Sequence, residues 1–253
     1  MSMIPDLAGT IDRRLLINYR VDAEVLRRFL PPPFRPQLAG GAGVAGICMI
    51  RLTGLRPAGL PEAVGLTTEN AAHRVAVEWD GPGGPGHGVY IPRRDTESRL
   101  TAVLGGRLFP GEHHRARFDV REAGGRYEAA FASLDGTARV AVTAELAGGL
   151  PPGSVFASLA DASAFFESDP LGYSATGRAG RFEGLELRCE AWRIEPLLVT
   201  RAESSFFADE SAFPKGSAEL DSAFLMRDIP ATWHARPALR GTRQPIMTAR
   251  RAA

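Results

Sequence analysis

Alternation of apolar and polar residues predicts strands in several segments of this chain. The clearest case lies in the segment from Thr68 to Trp79. Its later residues divide into two faces, with His73, Val75, Val77 and Trp79 on one and Arg74, Ala76 and Glu78 on the other. A loop rich in glycine and proline follows from Asp80 to His87, and Gly88 to Ile91 is apolar again. This order predicts a β-hairpin.

Three further alternating segments predict an antiparallel meander between residues 113 and 146. Its strands cover His113–Arg121, Arg126–Ser133 and Ala138–Leu146, and glycine-containing turns separate them. The same reasoning predicts the remaining strands, which cover Arg14–Val21, Gly43–Leu52 and Gly216–Met226. Glu183–Ser205 is predicted to form one long strand or two broken ones.

Helices are predicted at three places. Asp22 can cap a helix over Ala23–Leu30, which ends at the three prolines that follow. Asp95 or Thr96 can cap a second helix that extends to Leu104 and stops at a pair of glycines. A third, short amphipathic helix covers Leu159–Ser168.

Strands therefore dominate, and no repeat, low-complexity block or linker divides the chain. We predict a single mainly β (α+β) domain over residues 1–236 with a few short helices. So many strands in one domain favour a closed or nearly closed β-barrel or double sheet, whose mouth or interior holds a ligand. Residues 237–253 are predicted to form a disordered C-terminal tail.

The charge balance argues against two classes of partner. The 253 residues include 30 Lys plus Arg and 29 Asp plus Glu, so there is no electrostatic reason to expect nucleic acid or an anionic membrane. The N-terminus lacks a signal-peptide pattern, and no apolar run is long enough to span a bilayer. We expect a cytoplasmic protein whose partner is a small molecule, with a homo-oligomer left open.

Cysteine and lysine are both scarce. Cys48 and Cys189 lie far apart in apolar stretches, without the paired spacing of a metal site, and are expected to be buried free thiols. Lys215 is the only lysine, so it is the only side-chain amine that could form a Schiff base.

Several motifs resemble those of the acetoacetate decarboxylase family. Residues 18–34 are similar to the strand, helix and proline turn near the start of that enzyme, and L-T-T-E-N resembles its glutamate-bearing segment. This resemblance implies an active-site role for Glu69. The helix predicted from Asp95, followed by G-G-R-L-F-P-G-E, resembles the part that precedes the enzyme's two adjacent lysines.

Over residues 10 to 236 the chain looks closest to a group of uncharacterised bacterial proteins related to that decarboxylase. Y-I-P-R-R-D-T at 90–96 and S-S-F-F at 204–207 are typical of the group. The resemblance implies an acetoacetate decarboxylase-like fold.

The lysine positions are where the chain departs from the decarboxylase. Gly111 and Glu112 stand in their place. The decarboxylase uses a lysine activated by a neighbouring cation, and a guanidinium cannot replace that amine. The resemblance therefore implies the fold and a different chemistry. Lys215 could supply the missing amine only if its strand lines the pocket.

Glu69 and Glu112 are the candidate catalytic residues. A carboxylate at the edge of an apolar strand can hold its proton more tightly through desolvation, which suits an acid or base. The two could divide acid and base roles between them. The alternatives are an exposed strand-end glutamate for Glu69 and a turn glutamate for Glu112.

Arg93 and Arg94 are the candidate anion-binding residues, because a guanidinium fork before a helix start suits a carboxylate or phosphate. The alternative is that one of them neutralises Asp95 or Glu97. Tyr90 could point its hydroxyl at the ligand or serve in the core. His113 and His114 are neighbours on a strand and point to opposite faces, so no metal site is expected.

These observations predict a small-molecule-binding protein and, within that class, a cofactor-free enzyme. Its acid–base chemistry would act on a carboxylate- or carbonyl-bearing substrate, as a lyase, isomerase or hydrolase. Two alternatives remain: a non-catalytic binding protein on the same fold, and a Schiff-base decarboxylase that uses Lys215.

Overall fold

The computed structural model describes residues 6–81, 84–99, 110–168 and 170–241, and these residues are mostly in strands. Within these ranges the structure gives helices α1 (Ala23–Phe29) and α2 (Leu159–Glu167), and a 3-10 turn covers Glu62–Val64. The strands are β1 Leu7–Val21, β2 Arg35–Pro36, β3 Leu38–Ala39, β4 Ala42–Pro57, β5 Leu66–Gly81, β6 Gly84–Thr96, β7 His113–Ala123, β8 Arg126–Ser133, β9 Arg139–Leu146, β10 Leu171–Ala175, β11 Arg181–Cys189, β12 Glu195–Ser204 and β13 Ala218–Arg240.

Strand pairing closes the sheet into two rings that share five strands. The shared strands are β13, β1, β4, β5 and β6, paired in that order. On one side, β7, β8, β9 and β12 connect β6 back to β13 and complete the first ring. On the other side, β10 pairs in parallel with β6 while β11 pairs with β13, which completes the second ring. The two faces of the shared sheet therefore line two different interiors.

Each face of the shared sheet has its own core, because side chains alternate along every strand. On β5, His73, Val75 and Val77 point into the first ring, whose core also contains Phe131 and Leu225. Ala76 belongs to the core of the second ring, together with Phe166 of α2. The predicted division of β5 into two faces is therefore confirmed.

Aromatic side chains fill the first ring. The Tyr19 and Phe207 rings stack with centroids 4.1 Å apart, and the His73 ring lies 4.5 Å from that of Phe206. Burial and the charge of Arg93 lower the pKa of His73 to about 3, so its imidazole is neutral within this cluster.

Local sequence signals located most elements correctly. The Asp22 carboxylate accepts hydrogen bonds from the backbone N–H groups of Glu24 and Val25, as expected of the cap of α1. The hairpin β5–β6 and the meander β7–β8–β9 are confirmed, and so is the mainly β class. The helix predicted after Asp95 falls mostly on residues 100–109, which lie outside the described residues.

The segment Glu183–Ser205 forms two strands with a break between Cys189 and Glu195, which is one of the two forms predicted for it. Other features differ from the sequence-based prediction. The strands β2, β3 and β10 were not predicted, and the predicted loop Asp80–His87 is shorter, because β5 continues to Gly81 and β6 begins at Gly84. The last strand continues to Arg240, past the predicted domain boundary at residue 236. Residues 242–253 of the predicted tail lie outside the described part of the chain. No helix within that part is long and apolar enough to cross a membrane.

Candidate functional site

A cavity of about 580 Å³ lies inside the second ring. Its floor is the shared sheet, which contributes Arg14, Cys48, Ala72 and Arg94 from β1, β4, β5 and β6. Strands β10, β11 and β13, helix α2 and the loop after β11 form the remaining walls. This volume falls in the range of sites that hold small organic ligands.

Arg94 is a half-buried cation on the wall of this cavity. Its Nε donates a hydrogen bond to the Ser174 hydroxyl at 3.0 Å, and no carboxylate among the described residues forms an ion pair with it. Desolvation lowers the pKa of Arg94 to about 10, which still leaves the guanidinium charged at neutral pH. A cation that is partly withdrawn from water without a counter-charge is costly, so this position suits an anion from solution.

A second guanidinium approaches the same place from β1. The Arg14 Nε donates to the Cys48 sulfur at 3.3 Å, and one of its terminal nitrogens lies 3.7 Å from the Met226 sulfur. On the other side of Cys48, its register partner Ala72 on β5 pairs with Arg94 on β6. Arg14 and Arg94 thus flank Cys48 on the same floor, and both line the cavity. Two forks of donors on one floor suit a carboxylate.

Arg74 lines the cavity from β5, and its guanidinium already contacts other side chains of the protein. It donates a short hydrogen bond to the Asn18 side-chain oxygen, and its guanidinium carbon lies 4.9 Å from the centre of the Phe166 ring. This cation–π contact joins the sheet to α2. Arg74 adds positive charge to the cavity wall while holding its cover in place.

His113 stands next to Arg94, since the two residues are register partners on the parallel strands β6 and β7. Its Nδ1 lies 3.2 Å from the Gly111 carbonyl oxygen, which can only accept a hydrogen bond, so Nδ1 carries the proton. Burial, followed by the charge of Arg94, lowers the pKa of His113 to about 3. The cavity therefore contains a neutral imidazole beside its anion-binding group.

Glu69 lies on the opposite face of the shared sheet, inside the first ring. One carboxylate oxygen accepts from Arg51 Nε at 2.8 Å, and the other accepts a short hydrogen bond from Arg13. Glu122 extends this ion-pair cluster, at 3.0 Å from Arg13 and 3.1 Å from Arg51. Glu69 is buried, so the alternative of an exposed strand-end glutamate is wrong, and it does not line the cavity.

Arg93 also points away from the cavity. Two of its nitrogens donate to the two Asp95 carboxylate oxygens at 2.8 Å each, and a third donates to the Thr137 hydroxyl at 2.7 Å. Arg93 therefore neutralises buried Asp95, as one of the alternatives for this pair proposed. Only Arg94 of the two faces the cavity, because neighbours on a strand point to opposite sides.

The other candidate residues lie apart from the cavity floor. Tyr90 packs in the core against Phe34 and Phe182, with ring centroids at 5.2 and 5.8 Å, and burial raises its pKa to about 12. Glu112 is exposed and lies beside Gly177, so the structure does not pair it with Glu69. Lys215 is exposed in the turn before β13 and does not line the cavity.

The two neighbouring histidines diverge, as the strand geometry predicts. While His113 lines the cavity, the His114 Nδ1 lies 2.8 Å from an Asp135 carboxylate oxygen on the other side. Within the described ranges, no group of three or more His, Cys, Asp or Glu side chains is placed to hold a metal ion.

Sequence reasoning missed much of this site. It did not select Arg14, Cys48, Phe166 or Trp192, and it considered His113 only as a metal ligand. Alternation could have found part of it, because Arg14, Leu16, Cys48 and Arg94 fall on one face once the strands are in register. The walls contributed by α2 and β11 come from distant segments and carry no local signal.

Comparison with protein families gives one match. The model of a family named DUF2071, described as "Uncharacterized conserved protein (COG2071)", matches residues 9–225. The search of curated proteins found no match.

Several solved structures share the fold, and they include acetoacetate decarboxylases and a biosynthetic enzyme. The predicted acetoacetate decarboxylase-like fold is therefore confirmed. An acetoacetate decarboxylase-like enzyme from Sphingomonas wittichii RW1 aligns with a TM-score of 0.58 at 11% identity, over 94% of this chain and 93% of that one. Acetoacetate decarboxylase from Legionella pneumophila gives 0.58 and 13%, over 94% and 87%. The enduracididine biosynthesis enzyme MppR, complexed with pyruvate, gives 0.57 and 14%, over 92% and 89%. At these identities the likeness concerns the fold.

Proposed function

Because the chain belongs to the DUF2071 family and has an acetoacetate decarboxylase-like fold, we propose that it binds a small organic anion in the second ring and acts on it by acid–base chemistry. The substrate class is a carboxylic acid, with a carbonyl group near the carboxylate. The cavity inside the second ring is the site.

One observation carries the proposal: the half-buried guanidinium of Arg94 lines a ligand-sized cavity, donates to a hydroxyl, and forms no ion pair with a carboxylate of the described residues. Arg93 next to it, by contrast, pairs with Asp95. An anionic ligand would supply the missing charge, and Arg14 would contribute a second fork of donors.

Proton transfer is assigned to His113. Its Nδ1 lies against the Gly111 carbonyl oxygen and carries the proton, so the basic lone pair of the ring is on Nε2. Part of the lowering of its pKa comes from the Arg94 charge, and an anion bound to Arg94 cancels part of that charge. Substrate binding would therefore raise the pKa of His113 and make it a better base.

Glu69 and Glu112 have no role in this proposal, because neither lines the cavity. An imine step has no support either, since the only lysine of the sequence is on an exposed turn. The reaction classes that fit are those in which a base removes a proton next to a carbonyl, as in isomerisation or elimination.

The binding part is tested by calorimetry with a panel of carboxylates from acetate and pyruvate to octanoate. The variants are Arg94→Met and, as a matched control, Arg117→Met, which removes the same charge from an exposed position on β7. A hydrogen bond to a charged group contributes about 1.5–3 kcal/mol, so Arg94→Met should weaken binding at least tenfold. Arg117→Met should leave it unchanged. If no carboxylate of any size binds the wild type, the proposal is wrong.

The catalytic part is tested by NMR, through exchange of the methyl protons of pyruvate in D2O. Pyruvate suits this test because it combines a carboxylate with a carbonyl, and it is the molecule named in the MppR complex. Wild type should accelerate the exchange, and His113→Gln should abolish the acceleration while carboxylates still bind. Binding without exchange would instead favour the second candidate function, a ligand-binding protein without catalysis. The absence of both catalytic lysines of the decarboxylase favours that candidate.

A further inference from the structure

The walls of the cavity indicate what the rest of the ligand looks like. We propose that its ligand is a hydrophobic carboxylic acid, with the carboxylate at Arg94 and Arg14 and an aromatic or long aliphatic body against Phe166 and Trp192. This inference rests on the proposed anion site and goes beyond it by naming the substrate class.

The size of the cavity exceeds what a short keto acid needs. At about 30 Å³ per water molecule, 580 Å³ corresponds to roughly 19 waters. A molecule such as pyruvate would occupy the region near Arg94 and leave most of the space to solvent. A ligand that fills the cavity needs a body several times larger than its carboxylate.

The chemistry of the walls changes from the floor to the cover. Three arginines line the floor, and charged residues also line the β11 side, where they alternate with apolar ones. The apolar residues come from the shared sheet, β11, β13 and α2, and include Ile50, Ile91, Leu187, Phe166, Trp192 and Trp233. Apolar surface in contact with solvent gains free energy when a ligand covers it, in proportion to the area removed from water. These walls favour an apolar ligand body over a second charged group.

Trp192 is the clearest apolar contact for such a body. Its indole N–H donates to the Ser163 hydroxyl on α2 at 3.1 Å, which fixes the orientation of the ring. The ring is half-buried and lines the cavity, so it retains surface for a ligand to cover. Phe166 from α2 lines the same space, and its ring is held by Arg74. A rigid aromatic surface of this kind loses little conformational entropy when it binds.

The test measures affinity by calorimetry along the series acetate, butanoate, hexanoate and octanoate, with 3-phenylpropanoate and neutral hexanamide added. Each buried methylene should improve affinity about fourfold until the cavity is filled. Hexanamide should bind at least tenfold more weakly than hexanoate, because it lacks the charge that Arg94 recognises. In Trp192→Ala the affinity for octanoate and 3-phenylpropanoate should fall about tenfold or more, while that for acetate stays within a factor of two.

Trp192→Phe controls for folding, since it keeps an apolar ring and loses only the hydrogen bond to Ser163. It should recover most of the affinity for the long acids. If acetate and octanoate bind equally well to wild type, the hydrophobic acid is ruled out while the anion site stands. If affinity rises with chain length as steeply in Trp192→Ala as in wild type, the body lies elsewhere and the assignment is also wrong. Failure of every carboxylate to bind would instead remove the proposed function itself.

Discussion

Arg93 and Arg94 are identical neighbours in sequence, and we predict that replacing them with methionine has opposite effects on stability. In Arg93→Met, buried Asp95 loses the guanidinium that donates to both of its oxygens at 2.8 Å. In Arg94→Met, a half-buried charge without a counter-ion among the described residues disappears and an apolar side chain takes its place. The first change should destabilise the ligand-free protein, and the second should stabilise it.

The magnitudes follow from the two environments. Burial lowers the pKa of Arg94 from 12.5 to about 10, and a difference of about 2.5 corresponds to at most about 3 kcal/mol against the charged form. The lost hydrogen bond to Ser174 offsets about 1 kcal/mol of this gain. Arg94→Met should therefore stabilise by about 2 kcal/mol, or raise Tm by about 4 °C for a chain of this length. Breaking the buried pair in Arg93→Met should cost about 3–5 kcal/mol.

Urea unfolding at pH 7.5, followed by circular dichroism, measures both effects. Each protein should first be refolded from denaturant and dialysed, because a co-purified anion would stabilise the wild type through Arg94 and hide the gain. Equal destabilisation by the two substitutions would refute the reasoning. It would mean that Arg94 has a counter-charge within the fold and that the cavity needs no anion.

Three further predictions address the cavity and the two interiors. Cys48 should react faster with the anion iodoacetate, relative to neutral iodoacetamide, than a free thiol does, by about tenfold. In Arg94→Met this ratio of rates should return to the value of a free thiol. Peptide mass spectrometry measures the ratio, and a wild-type ratio equal to that of a free thiol would argue against an anion site. The pKa values of His73 and His113 in the folded protein are about 3, so the unfolded state binds more protons than the folded state below about pH 6.5. Lowering the pH from 7 to 5 should therefore reduce the free energy of unfolding by about 2 kcal/mol per histidine. His73→Phe should remove its share, and a flat profile between pH 7 and 5 in urea titrations would contradict this. Glu69→Gln should cost about 1.5–3 kcal/mol, because it removes one of the two carboxylates that pair with buried Arg13, and carboxylate affinity should be unchanged. Loss of turnover at native stability would restore a catalytic role to Glu69.

Local patterns in the sequence located most strands because each strand of this sheet has two differently packed faces. The alternation on β5 and the glycine turns of the meander are properties of a few consecutive residues, so no tertiary information was needed. Strand β10 was not predicted because it lacks such a local pattern. It has only five residues, Leu171–Ala175, and its parallel partner β6 lies far away in sequence.

The sequence predicted only part of the candidate site. It named Arg94, which lines the cavity, but grouped it with Arg93 and Glu69, which lie on the opposite face of the shared sheet. Glu69 and Arg93 point into the first ring, and Arg94 points into the second. The rule that neighbours on a strand diverge was applied to His113 and His114, and it separates Arg93 from Arg94 in the same way. Which face borders a cavity depends on how β10, β11 and α2 close over the sheet, and no local pattern records that.

Strand β13 belongs to both rings, and this has a consequence for how the protein is made. It pairs with β1 from Leu7 to Val21, with β12 near Leu225 and with β11 near Trp233. Neither ring can close until this late segment has been synthesised. One edge of β1 therefore stays unpaired while the intervening strands are synthesised. Folding of the nascent chain should therefore be late and slow. Chaperones that bind exposed strand edges should bind this chain during its synthesis.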